Sequence, residues 1–107
     1  MSAPAAADPI LKRFRAALDA LYGDRIERVV LFGSRARGDA RDDSDYDVAV
    51  FLKGLADRWQ EVDRIVPLVT DILYEDGAFI HAMPHRADSY EDRSSLMREI
   101  RREGVDL

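Results

Sequence analysis

The chain has 107 residues, 47% of them hydrophobic and 35% charged, the balance of a folded domain and not of a disordered segment. Sixteen Lys and Arg against 21 Asp and Glu leave a net charge of −5, which speaks against non-specific nucleic-acid binding. The absence of cysteine excludes disulfides, thiolate metal sites and a Cys nucleophile. The length fits one domain over residues 1–107, with a single core. No apolar run approaches the roughly 20 residues of a membrane span. Residues 1–8 have neither the basic nor the apolar region of a secretory signal, so a cytoplasmic location without a membrane partner is expected.

Residues 1–7, with four alanines and a proline, read as a loose tail. Asp8-Pro9 is an N-cap followed by Pro at the first helical position. Apolar residues then recur at helical spacing from Ile10 to Tyr22, and Gly23 is placed to end that helix. Ile26 to Phe32 is a short apolar run with the character of a buried strand, stopped by Gly33-Ser34. The polar stretch from Arg35 to Ser44 reads as a loop with one helical turn. Tyr46 to Leu52 alternates as a second strand: Val48, Val50 and Leu52 on one face, Asp45, Asp47, Ala49 and Phe51 on the other. Leu55 to Asp76 has a helical pattern with Trp59, Ile65 and Ile72 on its apolar side. Pro67 within it predicts a kink or two consecutive helices. Ala78 to Met83 is a third strand, ended by Pro84. Ser89, with Asp92 three residues on, opens a last helix in capping-box style, closed by Gly104. The expected fold is α/β (α+β), with helices packed on a small mixed sheet of about three strands.

One constellation stands out. Gly33-Ser34 and Asp45-Tyr46-Asp47 are separated by the ten residues Arg35 to Ser44. Gly33, leaving a strand, allows close backbone approach and a positive φ. Ser34 offers a hydroxyl and an N–H, and Arg35 and Arg37 can add charge-assisted bonds to phosphate oxygens. Asp45 and Asp47, at i and i+2 on a strand, have Cα atoms about 6.6 Å apart. Such a pair suits Mg²⁺, a hard cation that prefers carboxylate and phosphate oxygens. Phosphoryl and nucleotidyl transfer depend on this positioning and charge neutralisation.

These residues, with Ala36-Arg37-Gly38 between them, resemble the nucleotidyltransferase superfamily related to DNA polymerase beta. More closely, they are similar to minimal nucleotidyltransferases of the MNT or MntA type. The likeness is sharpest from Val29 to Leu52 and returns at Ile100 to Val105. It implies a polymerase-beta-like fold, Mg²⁺ and ATP as cofactor and substrate, and Asp45 and Asp47 as metal-binding catalytic residues. It places Gly33, Ser34, Arg35 and Arg37 at the nucleotide. It also implies an antitoxin that transfers AMP to a tyrosine of a HEPN-domain toxin, in a hetero-oligomer. The family's third carboxylate has no counterpart in Ala78 to Met83, where His81 is the possible general base. Two alternatives accompany this reading. One is an antitoxin that neutralises by binding, with a vestigial nucleotide site; the other is a small-molecule (antibiotic) nucleotidyltransferase, for which so short a chain leaves little acceptor pocket.

Overall fold

In a computed structural model, the structure describes residues 7–107. The loose tail expected over residues 1–7 lies, apart from Ala7, outside the described residues. The elements are α1 (Pro9–Tyr22), β1 (Ile26–Phe32), α2 (Ser34–Arg37), β2 (Tyr46–Leu52), α3 (Arg58–Asp76), β3 (Ile80–Arg86), α4 (Ser95–Glu103) and β4 (Val105–Asp106). Short 3-10 turns occupy Gly23–Arg25 and Ala87–Glu91. The sheet has the order β3-β2-β1-β4. β1 runs antiparallel to β2 and β4, and β2 parallel to β3. The mixed α+β class matches the expectation. The additional strand, β4, is a two-residue pairing with Val30 and Leu31, too short to carry an alternation signal.

Helix α1 starts where its sequence directs: Asp8 Oδ1 accepts from the Ile10 N–H at 2.9 Å, with Pro9 in the first turn. Leu11, Phe14, Leu18 and Tyr22 face inward. They pack with Ile65 and Ile72 of α3 against Val48, Val50 and Leu52. On the other sheet face, Ala49 and Phe51 pack with Val30 and with Met97 and Ile100 of α4. The alternation read along β2 is thus the real division between two cores. It also fixes the site, because Asp47 lies on the α4 side of the sheet, in step with Ala49 and Phe51.

Four expectations need correction. Helix α3 is continuous through Pro67, with Asp57 as N-cap accepting from Trp59 N at 3.0 Å. Pro67 lies on the exposed side, where water can serve the carbonyl left without its partner. Trp59 is 70% exposed and not a core residue. Strand β3 runs through Pro84; it is an edge strand, and a proline is tolerated there when its missing N–H would face away from the neighbour. Helix α4 begins at Ser95, not Ser89, because Ser94 caps it by accepting from Met97 N at 3.2 Å.

Candidate active site

Strand β1 delivers Gly33 directly beside β2. Phe32 is paired with Asp47, and Gly33 turns away with φ 76° and ψ −157°, a conformation open essentially to glycine alone. A Cβ at Gly33 would collide with Asp47 Oδ2 and stand 3.3 Å from Cγ. The Asp47 carboxylate therefore lies against the backbone at the start of α2. That helix is one turn. Ala36 N and Arg37 N donate to Gly33 O at 3.1 and 3.0 Å, and Gly38 N donates to Ser34 O at 3.0 Å. The Ser34 and Arg35 amides precede the first helical bond and have no intrahelical acceptor.

A cavity of about 660 Å³ opens here, lined by Gly33, Ser34, Arg37, Asp47 and His81 at one end. β2 and β3 pair Asp47 with His81, placing His81 Nδ1 3.6 Å from Asp47 Oδ1. Arg37 is held at the wall by Asp39 Oδ2 at 3.2 Å and Glu103 Oε2 at 3.1 Å. Those hydrogen bonds raise the guanidinium further above its usual value. Partial burial works to raise the Glu103 carboxyl, but hydrogen bonds from Arg37 and Arg102 outweigh it and hold that carboxyl below its ordinary range.

The remaining predicted residues lie alongside. Asp45 is exposed, one residue before β2. It lines a neighbouring hollow of about 330 Å³ with Arg35, Asp42 and Asp43. The strand-face geometry expected for Asp45 and Asp47 therefore does not apply at Asp45. Arg35, expected at the phosphates, binds the loop instead: Nη2 donates to Ser44 O at 2.8 Å and Asp42 O at 3.2 Å. Its guanidinium stacks 4.1 Å from the Tyr46 ring centroid. Tyr46 is buried, and its hydroxyl donates to Asp8 Oδ2 at 2.7 Å. Burial, reinforced by the bond to Asp8, pushes that phenol up to about 12. Arg35 and Tyr46 thus hold the loop that leads through Asp45 into β2.

The donor chemistry can accept Mg²⁺. Among the described residues the Asp47 carboxylate has the His81 ring beside it, and no arginine or lysine forms an ion pair with it. No cluster of three or more His, Asp or Glu able to hold a metal occurs among the described residues. A cation here would therefore depend on phosphate oxygens to complete its shell.

The geometry has close company among known proteins. A family model described as "Nucleotidyltransferase domain" matches residues 11–102. The chain belongs to that family. Two proteins of Methanocaldococcus jannaschii, named by assignment as protein adenylyltransferases, are similar to it. One is 32% identical over 96 residues, covering 88% of this chain and 90% of the relative. The other is 43% identical over 98 residues, covering 92% and 95%. Among solved structures, a toxin–antitoxin with AMP-PNP superposes with a TM-score of 0.59 at 18% identity, over 87% of this chain and 68% of that one. A mutant of the MntA-HpeT toxin–antitoxin gives 0.57 at 16%, over 86% and 68%. At such identities the superpositions establish the shared fold. The chain is a minimal nucleotidyltransferase.

Three further residues line or buttress this nucleotidyltransferase's cavity outside the Gly33 to Asp47 constellation. Glu103 anchors Arg37 from the end of α4, a contact between residues 66 apart that no local pattern reveals. Arg58 lines the cavity from the first turn of α3. His85 is half-buried and stacks on Phe51 with ring centroids 5.5 Å apart. Burial, and secondarily the charge of Arg58, lowers its pKa from the ordinary 6.5.

Proposed function

We propose that this nucleotidyltransferase moves AMP from ATP to a hydroxyl of a partner protein, a tyrosine of a HEPN toxin, and so acts as its antitoxin. The observation that carries the reading is the Asp47 carboxylate set against Gly33 and Ser34, with Arg37 on the same cavity wall. The names of the similar archaeal proteins and the toxin–antitoxin superpositions point the same way. The β,γ-phosphates are assigned to Ser34, the turn amides and Arg37, with Arg35 supporting the loop behind them. Asp47 would hold Mg²⁺, with Asp45, which opens on the neighbouring hollow, as the second carboxylate that the family pattern assigns; the ion supplies charge neutralisation at the phosphates when bound. The acceptor oxygen bonds to the α-phosphorus, the bond to the bridging oxygen of the β-phosphate breaks, and pyrophosphate leaves. The hydroxyl proton must go to a base within hydrogen-bond reach; His81, when unprotonated, is the in-chain group beside Asp47.

The test is the purified chain with its genomic-neighbour protein, ATP and Mg²⁺, both chains being weighed by mass spectrometry. Increments of one or more AMP units are expected on the partner. An unmodified partner whose activity is nonetheless blocked in the complex would replace this reading with neutralisation by binding.

A further inference from the structure

The cavity does not end at Asp47. Past the Asp47–His81 row it continues along β3 to Met83 and His85, with Leu96 of α4 lining the same end. His81, Met83 and His85 are at i, i+2 and i+4 on one strand face, so this extension reaches about 13 Å beyond His81. Its direction is fixed by the sheet. Gly33 and Ser34 follow the C-terminal end of β1, which lies beside the N-terminal ends of β2 and β3. Met83 and His85 lie toward the opposite end.

That polarity matters for an in-line displacement, in which the attacking oxygen and the leaving pyrophosphate lie on opposite sides of the α-phosphorus. Given the proposed function, on which this step rests, the leaving group sits against Gly33, Ser34 and Arg37, and the α-phosphorus sits near Asp47. The attacking group must then arrive from the Met83 side. We propose that the Met83–His85–Leu96 end of the cavity seats the acceptor's own side chain, an aromatic hydroxyl presented by another chain. The walls suit that class. A methionine thioether is a favourable neighbour for an aromatic ring. Leu96 is 41% exposed although its helix neighbours Met97 and Ile100 are buried, so its apolar surface is unused in the core. The His85 ring is fixed from behind by Phe51. Arg58 and Glu99 line the same cavity, so the apolar surface there is that of Met83 and Leu96. A serine or threonine side chain is too short to cover it while its oxygen reaches toward His81, whereas a phenol spans both.

The experiment is NMR on the isotopically labelled full chain, with N-acetyl-L-tyrosinamide as the probe and N-acetyl-L-serinamide as the control. The tyrosine amide is expected to shift the Met83 and Leu96 methyl and His85 ring signals, and the serine amide at equal concentration is not. Leu96→Glu, at a partly exposed rim position, should weaken the Met83 and His85 shifts at least about fivefold while the melting temperature is retained. Equal responses to the two amides, no response to either, or an unchanged response in Leu96→Glu would overturn the proposal. So would movement of Met83 and Leu96 by ATP and Mg²⁺ alone, which would put the nucleoside there. The Gly33 and Ser34 amides report separately on ATP with Mg²⁺. Silence at those amides would count against the transfer reading itself, independently of the tyrosine arm.

Discussion

At the scale of single residues, Asp47 and Gly33 form one unit. Asp47→Asn keeps the side chain's shape and removes the charge. Because Asp47 lies at a cavity wall and not in either hydrophobic cluster, folding should barely change. AMP transfer should fall by about 10²–10³-fold, the scale of losing one preorganised electrostatic contact; full activity in Asp47→Asn would remove it from the chemistry. Gly33→Ala tests the same contact from the backbone side. The positive φ should cost about 1–3 kcal/mol in urea unfolding, and the new methyl must displace the Asp47 carboxylate. Transfer should therefore be lost even at temperatures where the variant is folded. Both residues were legible in the sequence, because a Gly-Ser turn and a spaced pair of aspartates are local patterns. Arg35 was legible as a charge but not in its role. Its acceptors are backbone carbonyls of Asp42 and Ser44, which carry no residue-type signal.

At the scale of elements, the apolar runs of β1 and β2 and the alternation across β2 could be read directly, since both strands are central and their burial is set on each face. Helix α3 was harder. Its apolar side is wider than the strip it buries: Ile65 and Ile72 reach the core, while Trp59, Val66 and Leu73, spaced seven apart on the flank, remain partly or largely exposed. Periodicity gives the width of such a stripe but not how much of it a neighbour covers. Trp59→Ala should accordingly change stability by less than about 0.5 kcal/mol, and a larger loss in thermal unfolding would mean that the indole is packed. The start of α4 was misplaced because Ser89, Ser94 and Ser95 all offer caps. Ser94 alone accepts from an amide of the helix, that of Met97. Ser94→Ala should therefore destabilise the chain by about 1 kcal/mol, while Ser89→Ala should not; equal effects in urea titration would return the helix start to Ser89.

At the scale of the whole molecule, the sheet divides a thick core under α1 and α3 from a thinner one under α4. The thick side contains a charge that the sequence did not disclose. Glu61 is 3% exposed, and its carboxylate is met by Arg25 at 2.6 Å and Arg64 at 3.2 Å. The Arg64 spacing was visible, but Arg25 comes from the turn before β1. The thin side carries the cavity, and His85 lies at its edge between Phe51, Arg58 of α3 and the wall shared with Glu99 of α4. Its pKa in the fold is below the ordinary 6.5, through burial first and Arg58 second. The unfolded chain therefore binds the proton more readily. Stability from a neutral His85 is fully present above about pH 6.5 and is lost as pH falls toward the lower value of the folded state. Every other titrating group is shared by the two proteins, so the difference between wild type and a His85→Phe variant isolates this group. Phe keeps a ring against Phe51 and cannot take a proton. Between pH 7.5 and 5.5 the wild-type melting temperature should fall more than that of His85→Phe. Parallel curves would mean that the His85 ring is charged as easily in the folded chain as in water, and that the α4 side of the sheet is wetter than its packing indicates.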